Sequence, residues 1–107
     1  MSIDSGVRVC DPLLEGSPLF VILNWKGQPL GEETPKGGPR FITFVFVSWE
    51  SAERYRLSSR DEGFRRDGVV SGWYKSLAEI KECLGPRVLK HRFRFIGESG
   101  ETLTETD

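Results

Sequence analysis

The stretch Phe41-Ile42-Thr43-Phe44-Val45-Phe46-Val47-Ser48 limits what this chain can fold into more than any other. Seven of its eight residues are apolar, aromatic or β-branched, and none is Gly, Pro or charged. Successive side chains on a strand leave opposite sides of a sheet, and here neither side is polar. The run therefore reads as a central β-strand buried on both faces. It leads directly into Ser48-Trp49-Glu50-Ser51-Ala52-Glu53, a helix start with Ser48 as N-cap.

A sheet with two apolar faces needs cover, and 107 residues supply one domain to provide it. A domain of this size buries roughly two thirds of its unfolded surface, enough for one modest core without metals or disulfides. No apolar run approaches the roughly 20 residues of a membrane-spanning helix. Residues Met1–Gly6 lack the basic and apolar regions of a secretory signal, so a cytoplasmic location is expected. Cys10 and Cys83 have no CxxC spacing and His91 is the single histidine, so reduced thiols are expected, with no metal and no cofactor.

The net charge of −1 is unevenly spread. Gly97 to Asp107 carries Glu98, Glu101, Glu105 and Asp107 without a basic residue, leaving 15 basic against 12 acidic residues before it. Between Arg54 and Arg94 there are eleven Lys or Arg and five Asp or Glu. That excess is mild for a dedicated nucleic-acid binder.

Along the chain, residues 1–16 read as a loose arm, and Pro18 to Trp25 as a strand with Pro18 at its permitted first position. Lys26 to Arg40 holds four Gly and three Pro and reads as a long loop without regular structure, closing a wide antiparallel hairpin. A helix over 49–58 follows, then a charged loop to Gly68. Residues 69–74 read as a short strand or as a lead into the next helix. That helix, 76–84, opens with the capping box Ser76-Leu77-Ala78-Glu79 and stops at Gly85-Pro86. Val88 to Ile96 is a last strand, expected to be an edge or half-exposed strand. In it Leu89, His91, Phe93 and Phe95 alternate with Lys90, Arg92 and Arg94. The acidic residues 98–107 are expected to be disordered.

Chemistry is sparse. Any Ser-His or Cys-His catalysis must pass through His91, and no nucleophile motif accompanies it; a satisfied, largely buried histidine is the better reading. Asp61-Glu62 and Glu32-Glu33 are neighbours in loops, where solvated charge explains them. Thr34 to Pro39 resembles a phosphate cradle, but it precedes a strand, whereas phosphate loops follow one and open a helix. Its Lys36, Gly37 and Gly38 read as part of a flexible interaction loop. The row Lys90, Arg92, Arg94 could track phosphates, or it could guard an exposed strand and pair with the acidic tail. Of Trp73 and Tyr74, one is expected to be exposed, because consecutive residues of an extended segment face opposite ways.

A strand ending Phe-Val-Ser, followed by Trp-Glu-Ser-Ala-Glu-Arg-Tyr, resembles the strand-to-helix step of SseB-like bacterial domains. The Pro18–Leu23 strand and the Gly-rich loop are similar in order, so the resemblance covers residues 18 to 96. Val47 stands where those domains place Thr. The resemblance implies a fold and no site residues.

These readings converge on a small α+β domain with a mixed sheet of three or four strands and two helices packed on one face. The other face then needs the arm, the loop or a second subunit, which points to a homodimer. The expected function is a non-catalytic protein-interaction or regulatory module of the bacterial cytosol. It would bind a protein partner through Lys36, Gly37, Gly38, Trp73, Tyr74 and the basic face Lys90, Arg92, Arg94. Binding of nucleic acid or an anionic ligand through that basic face is the alternative.

Overall fold

In the computed structural model, residues 18–34 and 41–107 are described. The arm over 1–16, Cys10 and the loop residues Lys36, Gly37 and Gly38 lie outside the described residues. Six strands form one mixed sheet: β1 (Leu19–Leu23), β2 (Gly31–Glu33), β3 (Phe41–Phe46), β4 (Val69–Tyr74), β5 (Arg92–Ile96) and β6 (Thr102–Thr106). Three helices accompany them: α1 (Trp49–Leu57), the single turn α2 (Glu62–Arg65), and α3 (Leu77–Leu84), which runs into a 3₁₀ turn over Gly85–Val88. The strand order is β4-β1-β3-β5-β6, with β2 paired to β3. Among the described residues no helix is long and apolar enough to cross a membrane.

The central run behaves as its composition dictates. Five of the six β3 residues are buried, with Val45 and Phe46 at zero exposure. Phe20, Ile22, Ile42, Phe44 and Phe46 pack with Ala52 of α1 and Phe64 of α2. Leu19, Val21, Val45, Phe93 and Phe95 pack with Ile80 and Leu84 of α3 and with Val88. Neighbouring strand residues fall in different groups, so the two cores lie on opposite faces. The expectation of both helices on one face is corrected: each face carries its own helix.

The reason is topological. Strand β4 is antiparallel to β1, which is antiparallel to β3, so β3 and β4 point the same way. Strand β5 is parallel to β3. The connection β3-α1-α2-β4 crosses the sheet in one direction and β4-α3-β5 crosses back. Two crossovers of the same hand in opposite directions must use opposite faces. The bare face that asked for a second subunit is therefore covered by α3.

Both helix starts follow their sequence signals. Ser51 N donates to the Ser48 hydroxyl at 3.1 Å, and Glu79 N donates to Ser76 Oγ at 3.2 Å. The Glu79 carboxylate accepts from Lys75 N, one residue earlier than the usual capping-box partner.

Three other expectations are corrected. The long loop contains β2, which wedges between the splayed ends of β1 and β3: Leu30 N donates to Ile22 O at 2.8 Å, and Phe44 N to Leu30 O at 3.0 Å. A Cβ on Gly31 would lie 1.9 Å from Ile42 O, so only glycine lets β2 come so close to β3. The acidic tail is ordered as β6, antiparallel to β5. With β6 in place, β5 is an interior strand and not an edge, while Arg92 and Arg94 stay partly exposed beside buried Phe93 and Phe95, as the half-exposed alternative expected. It also starts later than its alternation implied: Val88 closes the 3₁₀ turn, Leu89 and Lys90 form a turn, and Leu89 is 79% exposed.

Candidate functional site

Three surfaces emerge, and two of them contain residues expected from the sequence. The first is the basic row. Arg94 leaves β5 on the α1 face; its Nε donates to Glu105 of β6 at 2.6 Å and its Nη2 to Glu32 of β2 at 3.3 Å. Its guanidinium lies 5.4 Å from the centre of the Phe44 ring. Arg92 Nε is 3.3 Å from Asp107 Oδ1. Lys90 lies in the turn before β5, outside the strand. Two of the three cations are thus occupied by carboxylates of the same fold, which fits the reading that the tail neutralises the row.

The second surface is the outer edge of the sheet. In the β1–β4 register Phe20 faces Gly72 and Leu19 faces Tyr74, so Trp73 is an extra residue on β4, a β-bulge. Its φ is +64°, which makes it the one non-glycine residue with positive φ among those described. A Cβ on Gly72 would meet the Phe20 ring at 2.1 Å; the core ring takes the space beside the bulge. Trp73 rests edge-on against Phe20 at 5.7 Å between centroids, yet stays 74% exposed. Tyr74 is half-buried on the α3 face, its hydroxyl 2.8 Å from Ser71 Oγ. One exposed and one packed residue were expected here; the bulge, and no simple alternation, separates them.

The third surface is a cleft at the opposite end of the sheet, about 470 Å³ in volume. The turn Asn24–Gln28, the start of β3, helix α2, the 3₁₀ turn and His91 all contribute to it. Asn24 shapes the turn: its Oδ1 accepts from Lys26 N and Gln28 N, both at 2.9 Å, and its Nδ2 donates to Gln28 Oε1 at 3.0 Å. Helix α2 is tied to α1 by Arg56, which donates to the carboxylate of Glu53 and to the carbonyls of Phe64 and Arg65. The hydrogen bonds from Arg56 hold the Glu53 carboxyl below its ordinary pKa. Asp61 caps α2, accepting from Gly63 N at 2.8 Å.

His91 sits at the junction of this cleft with a smaller one bordered by Lys81, Lys90 and Asp107. Its Nδ1 is 2.8 Å from the hydroxyl of Thr43, a residue with no exposed surface, and its ring tilts against Phe41 at 5.0 Å. Burial holds its pKa below the ordinary histidine value, because the charged ring would lose water. The satisfied histidine expected from the sequence is present, although it is only half-buried. Asp61 lines the same cleft, but its carboxylate accepts from Gly63 and makes no hydrogen bond to His91. No base–orienter pair forms. Thr43 is too deeply buried to serve as a nucleophile.

A histidine with a lowered pKa resists protonation in the folded state more than in the unfolded chain. Its contribution to stability is complete above the unfolded value near 6.5 and is lost as the pH falls through the lowered folded value. Between pH 7.5 and 5, unfolding free energy will fall more steeply in the native protein than in His91→Gln. Equal slopes in urea melts of the two proteins would contradict this.

Arg87, Asn24 and Gln28 are not singled out by the sequence, and Asp61 reads there as solvated loop charge. They belong to three separate segments, and no motif joins them; the turn around Gly27 is the single local hint. In comparisons with known proteins, no family model, no curated protein and no solved structure matches this chain.

Proposed function

We propose that this chain is a non-catalytic protein-interaction module of the bacterial cytosol, with Trp73 as its anchor. One observation carries the reading: a bulky residue in the left-handed region, on an edge strand, holding most of its indole in water. That backbone conformation costs about 1–2 kcal/mol for a residue with a Cβ. A glycine at the same position would avoid the cost, so the tryptophan serves something other than folding. Tryptophan is the side chain most enriched at binding hot spots, where one large ring fills a partner's pocket. The bulge also turns the β4 edge away from strand addition, so docking through the ring is favoured over a partner strand joining the sheet.

The alternative reading, phosphate tracking by Lys90, Arg92 and Arg94, has less support, since Glu32, Glu105 and Asp107 already neutralise the two arginines.

Two variants test the proposal. Trp73→Ala and Trp73→Gly both remove the ring, but only the second relieves the positive φ. Trp73→Gly will be the more stable by about 1 kcal/mol in denaturant melts. Both will fail to retain the partner that the native chain captures from its own cell lysate, and that capture will persist as salt is raised, unlike a phosphate-driven one. Equal stabilities, or capture unchanged in Trp73→Ala, would refute it.

A further inference from the structure

The cleft at the other end of the sheet is separate from Trp73, roughly 16 Å away along a five-residue strand. We propose that it binds a small planar aromatic carboxylate, with Arg87 holding the carboxylate and Phe41 and Phe64 flanking the ring.

Its volume, about 470 Å³, lies within the range of small-molecule sites. Phe41, Phe64 and Pro29 give it apolar walls, and Phe64 is 8% exposed, so the deeper wall is firmly seated in the core. The polar groups on the rim are mostly donors. Asn24 Oδ1 and Gln28 Oε1 both accept hydrogen bonds inside the turn, so the donor free on Gln28, a lining residue, is its Nε2.

Arg87 is the decisive residue. Its guanidinium lies beside the turn, 3.7 Å from where a Cβ on Gly27 would stand. Among the described residues Arg87, Arg54 and Arg60 have no carboxylate partner, whereas Arg56, Arg65, Arg66, Arg92 and Arg94 each have one; of the three, Arg87 alone lines the cleft. A guanidinium offers two parallel donors to a carboxylate, and its flat face also stacks on rings. Asp61, the one carboxylate among the described residues lining the cleft, narrows the choice of ligand. It tolerates a monoanion held by Arg87 and repels a dianion such as a phosphate monoester.

The test is a titration of the ¹⁵N-labelled full chain with 1-naphthoate, followed by amide shifts. Saturable shifts at Asn24–Gln28, Phe64 and His91 are expected, with at least tenfold weaker binding in Arg87→Gln. Arg87 is exposed, so that variant keeps the native spectrum elsewhere. Cyclohexanecarboxylate, which has the charge without the planar ring, will bind several-fold more weakly. Inorganic phosphate will not compete. Absence of saturable shifts, unchanged affinity in Arg87→Gln, or displacement by phosphate would each overturn the proposal. Trp73→Ala will bind 1-naphthoate as the native chain does, which keeps this site's fate distinct from that of the edge.

Discussion

Replacing Phe93 with alanine will cost about 4 kcal/mol, the range for emptying a phenylalanine site in a core. Phe93 has no exposed surface and joins Ile80, Leu84 and Val88 under α3. Lys81 Nζ lies over the same ring, 5.4 Å from its centre. The loss is large against the 5–15 kcal/mol by which ordinary domains are stable, and it will lower the melting temperature by about 20 °C. Leu89 provides the contrast. Alternation along a strand would place it on the same face as Phe93, yet it is 79% exposed in the turn before β5. Leu89→Ala will therefore change stability by less than about 0.5 kcal/mol. Thermal melts of the two variants check both statements, and similar losses would mean that β5 extends back through residue 89.

Gly31→Ala will cost about 3 kcal/mol, at the upper end for overpacking, since the atom in the way is a backbone oxygen. The added methyl would lie 1.9 Å from Ile42 O and 2.6 Å from Phe41 Cε2. A side chain could rotate aside; a carbonyl in a sheet can yield only if β2 leaves β3. Leu30, which is buried in the α1-face core, and Glu32, which pairs with Arg94, would move with it. Hydrogen exchange will show the amide of Phe44 losing protection, because its acceptor is Leu30 O. A variant that keeps that protection and loses less than about 1 kcal/mol would show that the wedge is loose.

The parts of the fold that were legible in the sequence are those set by local chemistry. A run with two apolar faces could only be a covered strand, and Ser48 and Ser76 each accept the amide hydrogen that their position predicts. The side on which each helix lands was not legible, since it depends on the direction of each crossover. Strand β6 was hidden for a different reason. Thr102, Thr104 and Thr106 alternate as β-branched residues in a strand should, but the segment is acidic and almost without apolar residues. It is held by Leu103 packed on the α3-face core and by Glu105 and Asp107 paired with the arginines of β5. Those partners lie eleven and fifteen residues upstream, and the attraction between the two charge blocks was legible while the pairing of strands was not.

The candidate sites divide in the same way. Trp73 could be singled out as an aromatic in an uncertain strand, but its positive φ arises from the register of β4 against β1, which no local pattern encodes. The cleft draws residues from several segments that meet only when the sheet closes. By sequence Asp61 reads as loop charge and His91 as part of a strand alternation, although the strand begins one residue after His91.

Helices α1 and α3 seal opposite faces of the sheet, which leaves the edge and the ends as working surfaces. Methyl–aromatic nuclear Overhauser effects test it most directly. Contacts are expected from the Ala52 methyl to the Phe20 and Phe46 rings, and from the Ile80 methyls to the Phe93 and Phe95 rings, with no ring shared. Ala52 and Ile80 methyls reporting on the same ring would put both helices on one face and return the search for function to the bare side of the sheet.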